Sequence, residues 1–358
     1  MLLRRLRLKN FRGYDDHCLE FNDGVNLIAG PNACGKTSIL EAVHYLTTAR
    51  SFRTSHTTEL IRHGAEYAYL ELTFVKHGID QILKIAFDAK RRRFTHNSTE
   101  FQSTSHLLGI IHATVFSPDH AALVKGAPQV RRQYLDLQLV QVDPLYVHYL
   151  SRYYRAMRHR NVQLKSKDFA TIALWETEMA RAAGYLIYRR IEAIEELAKM
   201  ARNRYRALTG ADEELSLEYK SSAAQLNSEQ AIMEYHQERF LRLRGRESEI
   251  GTTLTGPHKD DLMITINGKE ARHYASEGQQ RSVVAALKLS EWERMKQQIG
   301  INPIMLVDDI GMGLDKRRKE HFLNHLSNFQ QVILTATDEQ LNLPNVNLLR
   351  TSCQTASR

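Results

Sequence analysis

The chain has 358 residues, 42% hydrophobic and 25% charged, with a net charge of +8 and a pI near 9.3. That composition belongs to a soluble globular protein with material for one large domain or two modest ones, and its positive excess favours a polyanionic partner without selecting one. No apolar stretch nears the roughly 18 residues of a membrane span, the Met1-Leu2-Leu3-Arg4-Arg5 start is too charged for a signal peptide, and Cys18, Cys34 and Cys353 have neither disulfide-framework nor zinc spacing, so a cytoplasmic protein is expected.

Residues 2 to 9 alternate, with Leu6 and Leu8 on one face and basic side chains on the other, until Lys9-Asn10-Phe11-Arg12-Gly13 ends the run at a turn. A second short run, Cys18 to Phe21, leads through Asn22-Asp23-Gly24 to the apolar run Val25 to Ala29. The pattern predicts an antiparallel hairpin feeding a buried strand. Gly30-Pro31-Asn32-Ala33-Cys34-Gly35-Lys36-Thr37-Ser38 follows at once, and Ile39, Val43 and Leu46 then recur at helical spacing. Strand, glycine-bounded loop and helix in this order predict a phosphate loop. Polyphosphate is held by converging backbone N–H groups at a helix N-terminus, and Gly30 and Gly35 let the backbone come that close. On this reading Gly30 to Ser38 cradle a nucleoside triphosphate, Lys36 reaches its β- and γ-phosphates, and the Thr37 hydroxyl ligates Mg²⁺. Cys34 is read as a space-filler in the loop rather than a nucleophile.

Ala68, Leu70, Leu72 and Phe74 alternate with polar residues, and Leu83, Ile85 and Phe87 do so again beyond the turn at His77-Gly78, which predicts half-buried antiparallel strands. The cluster Lys90-Arg91-Arg92-Arg93 reads either as a solvated hairpin tip or as a phosphate contact to DNA. From Pro128 the texture turns helical. Val130, Tyr134 and Leu137 lead one helix, Asp143-Pro144 starts another, and the pattern from about Phe169 to Leu208 would span on the order of 60 Å before Gly210 stops it. Ser228 caps a further helix to Leu243. The cations Arg152, Arg155, Arg158, Arg160, Lys165, Lys167, Arg181, Arg189 and Arg190 lie either on solvated helix faces or along a DNA-facing stripe.

Strand texture returns at Gly256-Pro257-His258-Lys259-Asp260-Asp261. Leu262 to Ile266, the turn pair Asn267-Gly268 and Lys269 to Tyr274 predict a hairpin. Two buried strands follow, Pro303 to Val307 ending in Asp308-Asp309, and Val332 to Thr335 ending in Ala336-Thr337-Asp338. A phosphate loop needs an acid at a neighbouring strand end, so Asp308 is assigned to Mg²⁺ and Asp309 is the candidate general base, with Lys36 its catalytic partner. Ser276-Glu277-Gly278-Gln279-Gln280-Arg281 opens the amphipathic pattern Ser282 to Met295 and forms a second anion site at a helix N-terminus. One triphosphate has no need of both loops of one chain. The expected architecture is α/β, a mixed parallel sheet with an antiparallel β-subdomain, split by a helical insert: residues 1–127 and 250–358 form the two halves and 128–249 the insert.

With these motifs the chain resembles the RecF family of bacterial SMC-like recombination-repair ATPases. The resemblance rests on Leu8-Lys9-Asn10-Phe11-Arg12, the phosphate loop, Phe116-Ser117-Pro118-Asp119, Arg131-Arg132-Gln133-Tyr134-Leu135-Asp136, Gly256 to Leu262, the Ser276 loop, and Leu306-Val307-Asp308-Asp309 followed by Gly313-Leu314-Asp315. It implies an ATPase head of the ABC/SMC kind that binds ATP with Mg²⁺ and dimerises on it. Lys36, Thr37 and Asp308 of one subunit would face Ser276, Gly278 and Gln279 of the other. It also implies binding to double-stranded DNA and single-strand/double-strand junctions, with RecR and RecO as partner mediators and RecA as the recombinase loaded, and no membrane partner.

The chain departs from its relatives in places. Ala33 stands where glycine is common, Asp309 where transporter-type ATPases have glutamate, Gly311-Met312-Gly313 replaces a more polar stretch, and Thr337-Asp338 stands in place of a switch histidine. Slow, DNA-stimulated hydrolysis is therefore expected. The other readings are a transporter-type ATPase subunit, against which stand the helical insert, the basic central helices and the lack of a Leu-Ser-Gly-Gly-Gln signature, and a small-molecule kinase, which would have no use for the Ser276 loop.

Overall fold

The computed structural model describes residues 1–210, 213–309, 316–326, 329–337 and 346–350. The Gly311 to Asp315 stretch, Asp338 and Cys353 lie outside the described residues. In chain order, β1 (Leu2–Phe11), β2 (Tyr14–Glu20) and β3 (Gly24–Ala29) lead into α1 (Lys36–Thr48). Strands β4 (Tyr67–Lys76), β5 (Ile79–Asp88), β6 (Arg92–His96), β7 (Thr99–Phe101) and β8 (Ala113–Phe116) follow. Helices α2 (Ala122–Lys125), α3 (Pro128–Val142), α4 (Pro144–Ser166) and α5 (Ile172–Thr209) come next, then β9 (Leu215–Lys220) and α6 (Glu229–Ile250). The chain continues through β10 (Asp261–Ile266), β11 (Lys269–Glu270), α7 (Ala271–Tyr274), α8 (Glu277–Ile299), β12 (Ile304–Val307), α9 (Lys316–Leu326), β13 (Gln331–Ala336) and β14 (Val346–Arg350).

Two compact units result, one of residues 1–121, 204–212 and 276–358, the other of residues 122–203 and 213–275. In the first, a five-stranded sheet in the order β14-β3-β13-β12-β8 is parallel throughout. Parallel strands are covered on both faces, which is why β12 reads as an unbroken apolar run and β3 and β13 as apolar runs interrupted by the buried Asn26 and Thr335. A six-stranded antiparallel sheet in the order β2-β1-β4-β5-β6-β7 packs its alternating Leu3, Leu6, Leu8, Leu70, Leu72 and Ile85 into one core with Ile39 and Val43 of α1 and Leu306 and Ile333 of the parallel sheet. Where β1 shifts register between Leu3 and Arg5, its backbone would lose ladder partners. The buried Gln331 amide fills the gap, accepting from Leu3 N at 2.7 Å and donating to Leu3 O at 2.9 Å, and so ties the sheets together.

Several sequence expectations need correction. Lys269 to Tyr274 is not a full return strand: β11 ends at Glu270 and a helical turn takes over. Arg92 and Arg93 belong to β6 rather than to a hairpin tip, and Arg92 donates to Ala49 O and Thr57 Oγ1. Helix α6 runs on past Leu243 to Ile250, where Gly251 caps it. Helix α8 is not two-faced, since every residue from Ser282 to Trp292 is buried.

In the second unit, four of the cations expected on solvated faces or a DNA stripe are spent internally. Arg160, fully buried, bonds Glu176, Glu247, Thr253 and Phe240 O, fastening α4, α5 and α6. Arg190, also fully buried, bonds Asp136, Tyr146, Tyr219 and Pro257 O. Arg189 pairs with Asp143 and Glu192, and Arg152 with Glu178. A helical pattern cannot separate such a buried cation from a solvated one, because its partners are distant in sequence, 16 to 93 residues away for Glu176 and Thr253 on Arg160. Arg155, Arg158, Lys165, Lys167 and Arg181 are exposed.

The Gly256 to Asp261 motif is the hub of this unit. Gly256 has φ +119, where a side chain is strained, and an added Cβ would stand 2.3 Å from Tyr153 Oη. That hydroxyl cannot retreat freely: His258 Nε2 donates to Thr253 O at 3.1 Å, which leaves Nδ1 to accept from Tyr153 Oη at 2.7 Å. Asp261 holds Arg131 through both carboxylate oxygens, and Asp260 accepts from Tyr219. Gly256→Ala should therefore destabilise this unit by about 2 to 4 kcal/mol, from overpacking and backbone strain together. Urea unfolding followed by circular dichroism checks it, and an unchanged midpoint would contradict the packing described.

Candidate functional site

Strand β3 delivers Gly30 to Gly35 at the C-terminal end of the parallel sheet, where ligands of open α/β sheets bind. Pro31, Asn32 and Ala33 form the exposed crest of the loop, while Cys34, Lys36 and Ser38 are buried. Gly35 is the N-cap of α1 with φ 85, and a Cβ there would meet Tyr14 Oη at 2.9 Å. Tyr14 thus supports the loop from below, its hydroxyl 3.4 Å from Cys34 O and its pKa pushed up to about 12 by burial. Ala33 has φ 65, a left-handed conformation that costs roughly 1–2 kcal/mol for a residue with a Cβ. Glycine is free of that cost, which accounts for its being common there.

Lys36 Nζ donates to Gly30 O and Pro31 O, at 2.6 Å each, so the ammonium is folded back onto its own loop. Burial lowers its pKa, while Asp309 and Asp308 act the other way. Thr37 Oγ1 donates to Asp308 Oδ1 at 2.9 Å, although 271 residues separate them. Between the strands that carry these residues lies β13, and its Thr335 hydroxyl donates to the same Asp308 oxygen at 2.9 Å. Thr335 also accepts from the Asp309 N–H at 2.8 Å, which steadies Asp309 in a left-handed turn of φ 46. Burial raises the Asp308 pKa, and its neighbour Asp309 adds to this, whereas the Thr335 and Thr37 hydroxyls and Arg53 oppose it. A hydroxyl and a carboxylate 2.9 Å apart offer oxygens of the kind that suit a hard divalent cation.

The loop of residues 30–38 and the strand end at Asp308 and Asp309 thus adjoin one another. Sequence reading missed the support around it. The buried Glu41 of α1 is held by both guanidinium arms of Arg12 at 2.7 and 2.8 Å, with Ser51 and Arg53 on the same carboxylate. Arg12 also takes a left-handed backbone of φ 53, and its N–H donates to Leu60 O. The Lys9 to Gly13 motif thus braces the helix that carries Lys36 and Thr37. A charged arginine beside an asparagine in a turn was the only signal available.

Ser276 and Gln279 form their own device. The Ser276 hydroxyl accepts from Gln279 N at 3.2 Å and the Gln279 side chain accepts from Ser276 N at 2.8 Å, a capping box opening α8. Gln280 N bonds back to Ser276 O, so the Glu277 and Gly278 N–H groups lie foremost at this exposed helix start. Ser276 and Glu277 are exposed and Gly278 is half-buried.

A parallel sheet with a phosphate loop and an acidic strand end, joined to an antiparallel sheet and interrupted by helices, defines an ATPase head of the SMC type. The family model for the RecF/RecN/SMC N terminal domain matches residues 2–355, and the chain belongs to that family, on its RecF side. It is 48% identical to the DNA replication and repair protein RecF of Protochlamydia amoebophila (strain UWE25) over 339 residues, 94% of each chain. It is 34% identical to the protein of the same description from Bacillus subtilis (strain 168), over 94% of this chain and 93% of that one. Among solved structures, the recombination mediator protein RecF-ATP of the RecFOR pathway superposes with a TM-score of 0.88 at 29% identity, covering 95% of this chain and 93% of that chain. An SMC head bound to the C-terminal winged-helix domain of ScpA shares the fold, with a TM-score of 0.54 at 15% identity over 94% and 90%. Among the described residues no helix is long and apolar enough to cross a membrane.

Proposed function

We propose that this protein is a cytoplasmic, ATP-dependent DNA-binding protein of recombinational repair and replication restart, in which ATP closes two copies face to face. The observation that carries the reading is the pairing of two unlike anion sites on one chain: a loop with its own lysine and facing acids, and an exposed helix start, Ser276 to Gly278, that has no lysine and whose one acid, Glu277, lies 3.8 Å from Arg281. Each is half of a triphosphate site. Lys36 turns from the Gly30 and Pro31 carbonyls to the β- and γ-phosphates, and residues 32–37 give their N–H groups to the rest of the chain of phosphates. Thr37 and Asp308 hold Mg²⁺, which when bound neutralises charge on the phosphates. Asp309 accepts the proton of the attacking water, and Ser276, Gly278 and Gln279 of the opposite copy close on the γ-phosphate.

Asp309 is a short carboxylate, held by Thr335 in a turned backbone, so it reaches water less readily than a glutamate would. Hydrolysis is accordingly slow and DNA-stimulated, and ATP works as a clamp switch on double-stranded DNA and single-strand/double-strand junctions. RecO and RecR are the mediators it serves, and RecA the recombinase loaded at the gap. The similarity to RecF proteins over nearly the whole chain supports this assignment. Steady-state phosphate release tests it: below about ten turnovers per second, rising several-fold with DNA, is expected. Turnover well above that without DNA would contradict the switch.

A further inference from the structure

The Gly256 to Asp261 motif also forms one wall of a cleft of about 590 Å³, closed on the other side by β9 and the turn after it and by Arg239 of α6. That volume is within the range of small-ligand clefts. Its lining is rich in donors. Lys259 is exposed; its backbone N–H donates to Gly256 O at 2.8 Å, while its ammonium has no hydrogen-bond or ion-pair partner among the described residues. Arg239 spends Nε on Thr255 Oγ1 at 3.0 Å and lies 5.7 Å from the Tyr235 ring, which leaves its other guanidinium N–H groups for an occupant. The acids are already engaged: Lys220 pairs with Glu218, and Asp260 accepts from Tyr219 Oη at 2.6 Å and from Ser221. Burial raises the Asp260 carboxyl to about 6, so it stays largely ionised near neutrality, and the Tyr219 and Ser221 hydroxyls are turned toward that charge. The one lining aromatic, Tyr219, is 7% exposed, so there is no face on which a base could stack.

We propose that this cleft seats a backbone phosphate of a DNA strand, with Lys259 and Arg239 as its cations and the Ser222 hydroxyl as a neutral donor. A backbone phosphate asks for cations and hydroxyls and for no base contact, which matches the lining. This rests on the DNA-binding reading above. It also separates these two cations from Arg160 and Arg190, whose charges are consumed within the fold.

The test is the salt dependence of duplex DNA affinity for the full chain with ATP, in Lys259→Gln, in Lys259→Gln/Arg239→Gln and in Lys259→Arg. Each phosphate contact contributes about 0.9 to the slope of log affinity against log salt. The expected result is a slope shallower by about 0.9 in the double variant, which loses the one phosphate contact, and by less in the single one, with affinity down on the order of tenfold in the double variant and the slope kept in Lys259→Arg. Melting and nucleotide affinity should match the parent. No measurable DNA affinity in the parent at low salt removes the DNA reading and this inference with it. An intact parent slope reproduced in the double variant, or lost affinity at an unchanged slope, overturns the cleft alone.

Discussion

Lys36→Ala is expected to lower nucleotide affinity by at least a hundredfold while leaving the fold intact. In the free protein the ammonium satisfies Gly30 O and Pro31 O at 2.6 Å each. With nucleotide it exchanges those neutral acceptors for ionised phosphate oxygens, and hydrogen bonds to charged groups contribute roughly 1.5–3 kcal/mol each. Losing two such bonds removes about 3 kcal/mol or more, and each 1.4 kcal/mol is tenfold in affinity. The helix itself does not depend on that side chain, because Ile39, Leu40, Val43 and Leu46 anchor α1 in the core and Glu41 is held by Arg12. Titration with a fluorescent ATP analogue, with melting as the control for folding, reads the effect. Affinity within threefold of the parent would show that the loop is not the phosphate site.

Ser276→Arg has the second large effect, and its signature is different. The substitution deletes one half of the capping box and adds a cation where the helix macrodipole is already positive, at about 1 kcal/mol for the cap. Helix α8 tolerates that, since Val283 to Trp292 are buried along its length. What it does not tolerate is a long charged side chain on the surface that must meet another copy. Nucleotide affinity should stay within threefold, whereas ATP-dependent association and hydrolysis should fall below detection. Hydrolysis equal to the parent's would remove the shared site. Ser276→Ala, which loses only the cap, separates lost contact from added bulk and should retain part of both.

How far the chain could be read depended on the range of each signal. The phosphate loop, the strand ends at Asp308 and Ala336, the Asp143 and Ser228 caps and the start of α8 at Ser276 are written within a few residues, and they were legible; the capping box itself was not read. Strand β9 also carries a local signal, Leu215, Leu217 and Tyr219 in alternation, but it lies between long helices and was passed over. Strand β8 is four residues long and β14, among the described residues, pairs with β3 alone at the sheet edge, so neither stands out from its surroundings. The supports of the site were not legible at all. Tyr14 beneath Gly35, Thr335 bridging Asp308 and Asp309, and Gln331 filling the β1 bulge are pairings across 21 to 328 residues, and no periodicity encodes them. Arg160 and Arg190 mislead for the same reason, because a buried cation and a solvated one occupy identical places in a helical repeat.

The central claim is that one chain holds half a reaction centre at each of two places. Multi-angle light scattering of the full-length protein, with and without saturating ATP and Mg²⁺, measures it most directly. The account predicts an increase in mass from about 41.3 kDa to twice that on adding ATP, reversed as ATP is hydrolysed and absent in Ser276→Arg. A mass that stays at one chain in saturating nucleotide, from protein that hydrolyses ATP at full rate, would contradict it.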